Sequence, residues 1–250
     1  MLDNQTIDKM NEMLLTTMAK HYRLQAADPA IEALGFDERL GLLVDAEWTS
    51  RKTNRQKKLL QGAKLAYYDA TLEGIEYLED RKLDRAKITK FGTCNYIDEC
   101  RNIVILGATG CGKTYVANAL GAAACRKFYS VKYIRLSELV AELSFARATS
   151  AYKNTLKRYK QVKLLIIDDW LLYPLSATDG RELLEIIEAR YKKGSTIFCS
   201  QIDIGGWIDN LGGESVVAEA ICDRIAPESH KIVMSGTGSM RKRHGLPEEE

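Results

Sequence analysis

Absences narrow this chain before any motif is read. None of its apolar runs approaches the roughly 20 residues of a membrane span, and the opening MLDNQTIDKM has no signal-peptide core. The expected location is therefore cytoplasmic. Six cysteines, at 94, 100, 111, 125, 199 and 222, lack the paired Cys-x-x-Cys spacing of a zinc site. Charge of one sign is missing too: 36 Lys and Arg against 34 Asp and Glu leave a formal +2, too little by itself to argue for nucleic acid. No internal repeat or low-complexity tract appears, apart from the acidic Glu248-Glu249-Glu250. What is left is an ordinary soluble composition, 46% hydrophobic and 28% charged. A chain of 250 residues can form one large domain, or a medium one with a smaller appendage.

Against that background one segment stands out. Gly107-Ala108-Thr109-Gly110-Cys111-Gly112-Lys113-Thr114 is a complete G-x-x-x-x-G-K-[ST] phosphate loop. The β-branched run Asn102–Leu106 before it reads as a buried strand, and the Ala-rich Tyr115–Phe128 after it reads as a helix. Strand, glycine loop and helix N-terminus together aim backbone N–H groups and a positive dipole end at one point, where a nucleoside triphosphate can sit. In that arrangement Lys113 reaches the β- and γ-phosphates and the Thr114 hydroxyl holds Mg²⁺. Cys111 lies inside the loop, where a disulfide would obstruct the site, which suits a reducing compartment.

Residues 1–66 read as a small all-helical domain and residues 67–250 as the nucleotide-binding domain. Leu14, Met18, His21 and Tyr22 fall at helical spacing, Asp28-Pro29 breaks the pattern, and a second helical stretch runs from Leu34 to Trp48. A basic stretch follows in a helix: Arg51, Lys52, Arg55, Lys57, Lys58 and Lys64. Taken alone, such a run reads first as a solvated helix face; the functional reading is a set of phosphate-backbone contacts, which need clustered cations and no base-reading groups. Beyond Asn102, short apolar strands alternate with helices, the pattern of a parallel sheet covered on both faces. The strands are expected at 103–106, 131–134, 164–167, 196–199 and 231–234.

Further candidates sit at strand ends. Leu164-Leu-Ile-Ile-Asp-Asp169 is an apolar strand closing on two carboxylates, the Walker B pattern. A hard cation prefers oxygen ligands, so Asp168 is the expected partner of the Mg²⁺ shell and Asp169 the group that polarises the attacking water. The next strand ends Ser200-Gln201, and either side chain could bond the γ-phosphate or orient the water. Arg224, in an Asp-Arg pair before the last strand, and Arg241 after it could neutralise charge on the transferred phosphoryl group.

The order of these elements resembles the AAA+ ATPases, in the branch of replication initiators and helicase loaders that includes DnaA and DnaC. More closely, the chain resembles the IstB-type ATP-binding proteins of insertion-sequence transposition. The segments carrying that resemblance are Phe36-Asp-Glu-Arg-Leu-Gly41, Glu47–Arg51, Ala70-Thr-Leu-Glu, Leu83-Asp-Arg85, GATGCGKT with Tyr115–Gly121, LLIIDDW, Thr196–Gln201, Ala220–Arg224 and Gly238-Ser-Met-Arg241. They span nearly the whole chain. The resemblance implies an α/β AAA+ P-loop domain, with a five-stranded parallel sheet, behind an all-α N-terminal domain. It implies ATP hydrolysis, with Arg224 as a finger reaching a neighbouring subunit, Ser200 or Gln201 as first sensor and Arg241 as second. Residues 136–159 would be a helical insertion facing DNA, with Arg147, Lys153, Lys157, Arg158 and Lys160 as its cations, or else a solvated helix covering the sheet.

Two features depart from the broader pattern. Asp169 stands where many AAA+ members have the longer Glu, and about fifty residues after Ser200 are too few for a full helical lid. The implied function is an ATP-dependent helper of a transposase: a homo-oligomer that binds and bends duplex DNA, with ATP and Mg²⁺ as cofactors. A helicase loader and a P-loop small-molecule kinase are the alternatives.

Overall fold

The computed structural model describes residues 4–213, 215–235 and 240–243. Two compact units emerge, residues 1–58 and 59–250. The division falls inside one 28-residue helix, because the basic stretch carries no Gly or Pro until Gly62 and continues the helix begun upstream.

The first unit is helical: α1 (Asn4–Glu12), α2 (Thr16–Gln25), α3 (Pro29–Glu32) and most of α4 (Phe36–Ala63). The break expected at Asp28-Pro29 is a helix start, with the Asp28 side chain accepting the Ala30 N–H and Pro29 in the first turn. The buried Glu47 of α4 accepts the N–H groups of Thr17 and Met18, both at 3.0 Å, so a carboxylate from another helix caps α2.

The second unit is a three-layer α/β domain. After the turn Glu79–Arg81 come α5 (Arg85–Gly92), α6 (Asn95–Asp98), β1 (Asn102–Gly107), α7 (Lys113–Arg126) and β2 (Val131–Arg135). Next are α8 (Leu136–Ala148), α9 (Tyr152–Gln161), β3 (Leu164–Trp170), α10 (Ala177–Arg190), β4 (Ser195–Ser200) and α11 (Trp207–Asn210). The last elements are α12 (Ser215–Ile225), β5 (Ser229–Met234) and α13 (Met240–Arg243). The five strands are parallel in the order β2-β3-β4-β1-β5. All five fall where the apolar runs place them, each a residue or more longer than expected.

Alternate strand residues supply two cores, since successive side chains point to opposite faces. Ile103, Ile105, Ile166, Ile197 and Ile232 pack beneath α7 and its Val116, Ala117, Leu120 and Ala124. Val104, Leu165, Ile167 and Phe198 meet α8, α9, α10 and α12 on the other face. The chain leaves β1 for the far edge at β2, works back through β3 and β4, and finishes at β5 on the other side of β1. The C-terminal end of β1 is thus a topological switch point, where open α/β sheets bind ligands. No helix among the described residues is long and apolar enough to cross a membrane.

Candidate nucleotide site

The phosphate loop leaves β1 in the space between β4 and β5 and runs directly into α7. Its glycines are required by shape. A Cβ on Gly107 would lie 2.4 Å from the Met234 carbonyl oxygen, and Gly112, at φ +93°, has a backbone that side chains rarely adopt. Gly112 precedes the first residue of α7, so the unpaired N–H groups of that helix face the loop. Lys113 is buried and folded over its own loop, its Nζ donating to the carbonyls of Gly107 at 2.7 Å and Ala108 at 2.9 Å. Ala108 and Thr109 form the exposed rim, and Cys111 is a free, buried thiol beneath it.

Thr114 and Asp168 meet as the two motifs predict. The Thr114 hydroxyl donates to Asp168 Oδ2 at 2.8 Å, and the Asp169 N–H donates to Oδ1 at 3.0 Å. A third donor was not legible in the sequence: the phenol of Tyr133, on β2, reaches the same Oδ2 at 2.9 Å. Burial, then the neighbouring carboxylate, pushes the Tyr133 phenol far above its ordinary value, so it stays protonated and keeps donating. The only signal for it was positional, since Tyr133 is a strand residue two pairs before the register contact Arg135↔Asp168.

Between Ile167 and Trp170 the β3–β4 register shifts, and Asp169 takes a left-handed φ of 51°. That irregularity sends the two adjacent carboxylates different ways. Asp168 is buried against Thr114, while Asp169 opens onto the cleft, its Oδ2 3.9 Å from Arg135 Nε. The two candidates at the end of β4 also separate. Ser200 is wholly buried; its hydroxyl lies against the carbonyls of Trp170 and Ile202 and accepts from the Trp207 indole at 3.3 Å. Gln201 lines the cleft, its Oε1 accepting from Thr109 at 2.8 Å.

The cleft itself measures about 320 Å³. One wall is the phosphate loop with Thr114, Asp169 and Gln201; the other is the lead-in segment, contributing Tyr67, Asp69, Gly74, Glu76 and Arg81. Tyr115 joins the walls, its ring 5.7 Å from that of Tyr67 and its hydroxyl over Gly74. No local sequence pattern marks any of these lead-in residues. The Asp168 carboxylate and the Thr114 hydroxyl offer oxygen ligands, the kind suited to a hard cation such as Mg²⁺. Among the described residues no cluster of three His, Cys, Asp or Glu side chains suggests a separate metal centre.

Arg224 is elsewhere. It sits in the last turn of α12, immediately before β5 begins, and so at the N-terminal edge of the sheet, opposite the phosphate loop. There its Nη2 pairs with Glu188 at 2.8 Å and its neighbours include the starts of β1 and β4. It cannot reach the cleft of its own subunit. For Arg241 the side chain lies outside the described residues.

The cations assigned to DNA fall into two sets. On α4, Arg51, Lys52, Arg55, Lys57 and Lys58 are exposed. Arg51 bonds Glu47 at 2.6 Å, and the Lys52 ammonium lies 4.5 Å from the Trp48 ring centre. In the insertion, Arg147 pairs with Glu182 at 3.2 Å, Arg158 with Glu142 at 3.5 Å and Lys160 with Glu185 at 2.7 Å. Leu156 and Tyr159 of α9 are buried in the sheet core, so this helix covers the sheet, while Lys153 and Lys157, one turn apart, remain exposed.

Comparison with known proteins places this chain in a family. Residues 8–247 match the model of the IstB-like ATP binding proteins. A relative from Sinorhizobium fredii, an insertion-sequence ATP-binding protein, is 39% identical over 243 residues, covering 97% of this chain and 98% of its own. Among solved structures, DnaI aligns with a TM-score of 0.59 and 21% identity over 72% of this chain and 94% of its own. The DnaC helicase loader aligns with a TM-score of 0.55 and 20% identity over 68% and 98% respectively. These two likenesses show the fold, and the full-length match shows the family: the chain belongs to the IstB-like ATP-binding proteins.

Proposed function

We propose that this protein is an ATP-hydrolysing helper of a transposase, which assembles on duplex DNA as a homo-oligomer and bends it. One observation carries the reading: Arg224 stands apart from the other candidates for the nucleotide site. Lys113, Thr114, Asp168 and Asp169 gather at the C-terminal edge of the sheet, whereas Arg224 stands at the opposite edge. A guanidinium so placed can complete only a neighbour's site, which makes ATP the joint between protomers.

Within one subunit the roles divide by geometry. The loop N–H groups and Lys113 hold the phosphates, and Lys113 must give up its two loop carbonyls to do so. Thr114 and Asp168 would hold Mg²⁺, which would offset the charge of the phosphates. Asp169, freed from Arg135, is aimed to take a proton from the attacking water, and Gln201 to orient that water from the other side. Being one methylene shorter than Glu, Asp169 favours slow hydrolysis without a partner. The DNA contacts rest best on Lys57 and Lys58 of α4 and on Lys153 and Lys157, because Arg51, Arg147 and Arg158 already have carboxylate partners. Bending a site costs on the order of a few kcal/mol, which phosphate contacts repeated along an oligomer can offset.

The test mixes the protein with long duplex DNA and ATP, ADP or a non-hydrolysable analogue, following assembly mass and DNA bending. ATP should drive assembly and bending where ADP does not. Assembly indifferent to the nucleotide would sink the mechanism, and a strong preference for single strands would favour a helicase loader instead.

A further inference from the structure

The nucleotide cleft contains a cation with no part in the chemistry above. Arg81 closes the turn Glu79–Arg81, thirty residues before the phosphate loop reaches Cys111, and only 4% of it is exposed. Its Nη2 donates to the Cys111 carbonyl at 2.9 Å, its Nη1 donates to the Glu76 carbonyl, and its Nε is buried with no partner. Contact with the loop is close: a Cβ on Gly112 would fall 2.6 Å from Nη2. Burying a guanidinium with one donor unpaired is costly. Its position beside the loop is the feature that needs explaining.

We propose that Arg81 is a positioning residue that sets the phosphate loop for nucleotide. In a trans peptide the carbonyl of one residue and the N–H of the next point in opposite directions. Holding the Cys111 carbonyl therefore fixes the Cys111–Gly112 plane and turns the Gly112 N–H away from Arg81, free for a phosphate oxygen. The preceding plane is fixed likewise, by the Met240 N–H donating to the Gly110 carbonyl at 2.9 Å. Arg81 is itself braced, its own carbonyl accepting from the Ser235 N–H at 3.1 Å. The lead-in segment and the stretch after β5 thus hold successive carbonyls of one loop, and the Arg81 charge adds a field that favours anions. This assignment rests on the reading of the cleft as a nucleoside diphosphate and triphosphate site.

The experiment titrates wild type, R81M and R81K with ADP and with adenosine, and follows the Gly112 amide by NMR in ¹⁵N-glycine-labelled protein. In R81M, ADP affinity is expected to fall about tenfold, the worth of a hydrogen bond in a charged setting, while adenosine binding stays unchanged. The shift of the Gly112 amide on adding ADP should disappear in both variants. Wild-type ADP affinity in R81M overturns the proposal, and so does weakened affinity with the Gly112 shift intact, because the charge would then act without orienting the loop. If R81M fails to fold, R81K carries the same two readouts, since lysine keeps the charge but cannot hold two carbonyls in one plane. Wild-type protein that binds neither ADP nor ATP would refute the nucleotide reading itself, a result distinct from failure of the Arg81 role.

Discussion

Removing the Tyr133 hydroxyl tests whether Asp168 works as a fixed metal-side ligand. In Tyr133→Phe the ring remains in its buried place against the sheet, and only the donor 2.9 Å from Asp168 Oδ2 is lost. Asp168 keeps Thr114 on the same oxygen and the Asp169 N–H on the other, so the carboxylate is not left bare. A hydrogen bond to a charged acceptor contributes about 1.5–3 kcal/mol, and the low end applies where two partners persist. At about 1.5 kcal/mol the affinity for Mg²⁺-nucleotide should fall roughly tenfold. Affinity for nucleotide without metal should hold, because the phosphate loop lies on the other side of Thr114. Calorimetric titration with ADP, with Mg²⁺ and with chelator, separates the two. Because the phenol is protonated at every pH in use, the loss should not vary between pH 6 and 9, values spanning roughly the window where His and thiols titrate. Equal weakening with and without Mg²⁺ would refute the positioning role and make Tyr133 a packing residue.

The divided site predicts complementation. Lys113→Ala and Arg224→Ala proteins should each be inactive alone, yet an equal mixture should recover about a quarter of wild-type ATPase rate, the chance that an intact cleft meets an intact finger across a head-to-tail interface. No recovery, or normal hydrolysis by Arg224→Ala alone, would rule out the shared site. Asp169→Asn should preserve ATP binding, measured by fluorescent-nucleotide displacement, while lowering single-turnover hydrolysis by about 10²-fold or more, the usual share of a general base. Arg190→Met should be severely destabilising: this buried guanidinium donates to the carbonyls of Tyr159, Val162 and Ser195 and to the Thr196 hydroxyl, and orphaning them costs about 3–5 kcal/mol, read as a lowered melting temperature by calorimetry. Glu47 gives an acid limit. Burial alone would raise its pKa, but the N–H of Met18, Arg51 and the N–H of Thr17 outweigh burial and hold it below the ordinary 4.5. Its contribution to the first unit is therefore complete above that value and is lost as pH falls through the depressed one, so the Glu47→Gln variant should differ from wild type at pH 7 and converge with it in acid.

How much of this was legible in the sequence depended on where each residue's partner lies. The phosphate loop is contiguous, so its strand, glycines and helix could all be read from one window. Asp168 and Asp169 could be read because the run of four apolar residues at the start of β3 ends on them. Which carboxylate faces which way could not, since that follows from a register shift against β4 and a left-handed φ at Asp169. The same applies one strand over: Ser200 and Gln201 are adjacent, and alternation alone cannot say that the first will be drawn inward by the Trp207 indole. Tyr133 and Arg81 were invisible for a stronger reason. Their partners Asp168 and Cys111 lie 35 and 30 residues away, joined only by the fold.

The basic residues of the insertion erred in the opposite direction, being visible but ambiguous. Counting Arg147, Arg158 and Lys160 as cations was correct, but composition could not show that Glu182, Glu142 and Glu185 would meet them across packed helices. Charge that is paired within one subunit contributes little to counterion release on DNA, and a surface pair is itself worth at most about 1 kcal/mol. The electrostatic case for DNA therefore shifts to Lys57 and Lys58 of α4 and to Lys153 and Lys157, each of which repeats once per protomer. Replacing Lys153 and Lys157 by Ala should weaken duplex binding and flatten its salt dependence by about two charges, a slope change readable by fluorescence anisotropy across a salt series. An unchanged slope would mean that α9 only covers the sheet and that the DNA surface, if there is one, lies on α4.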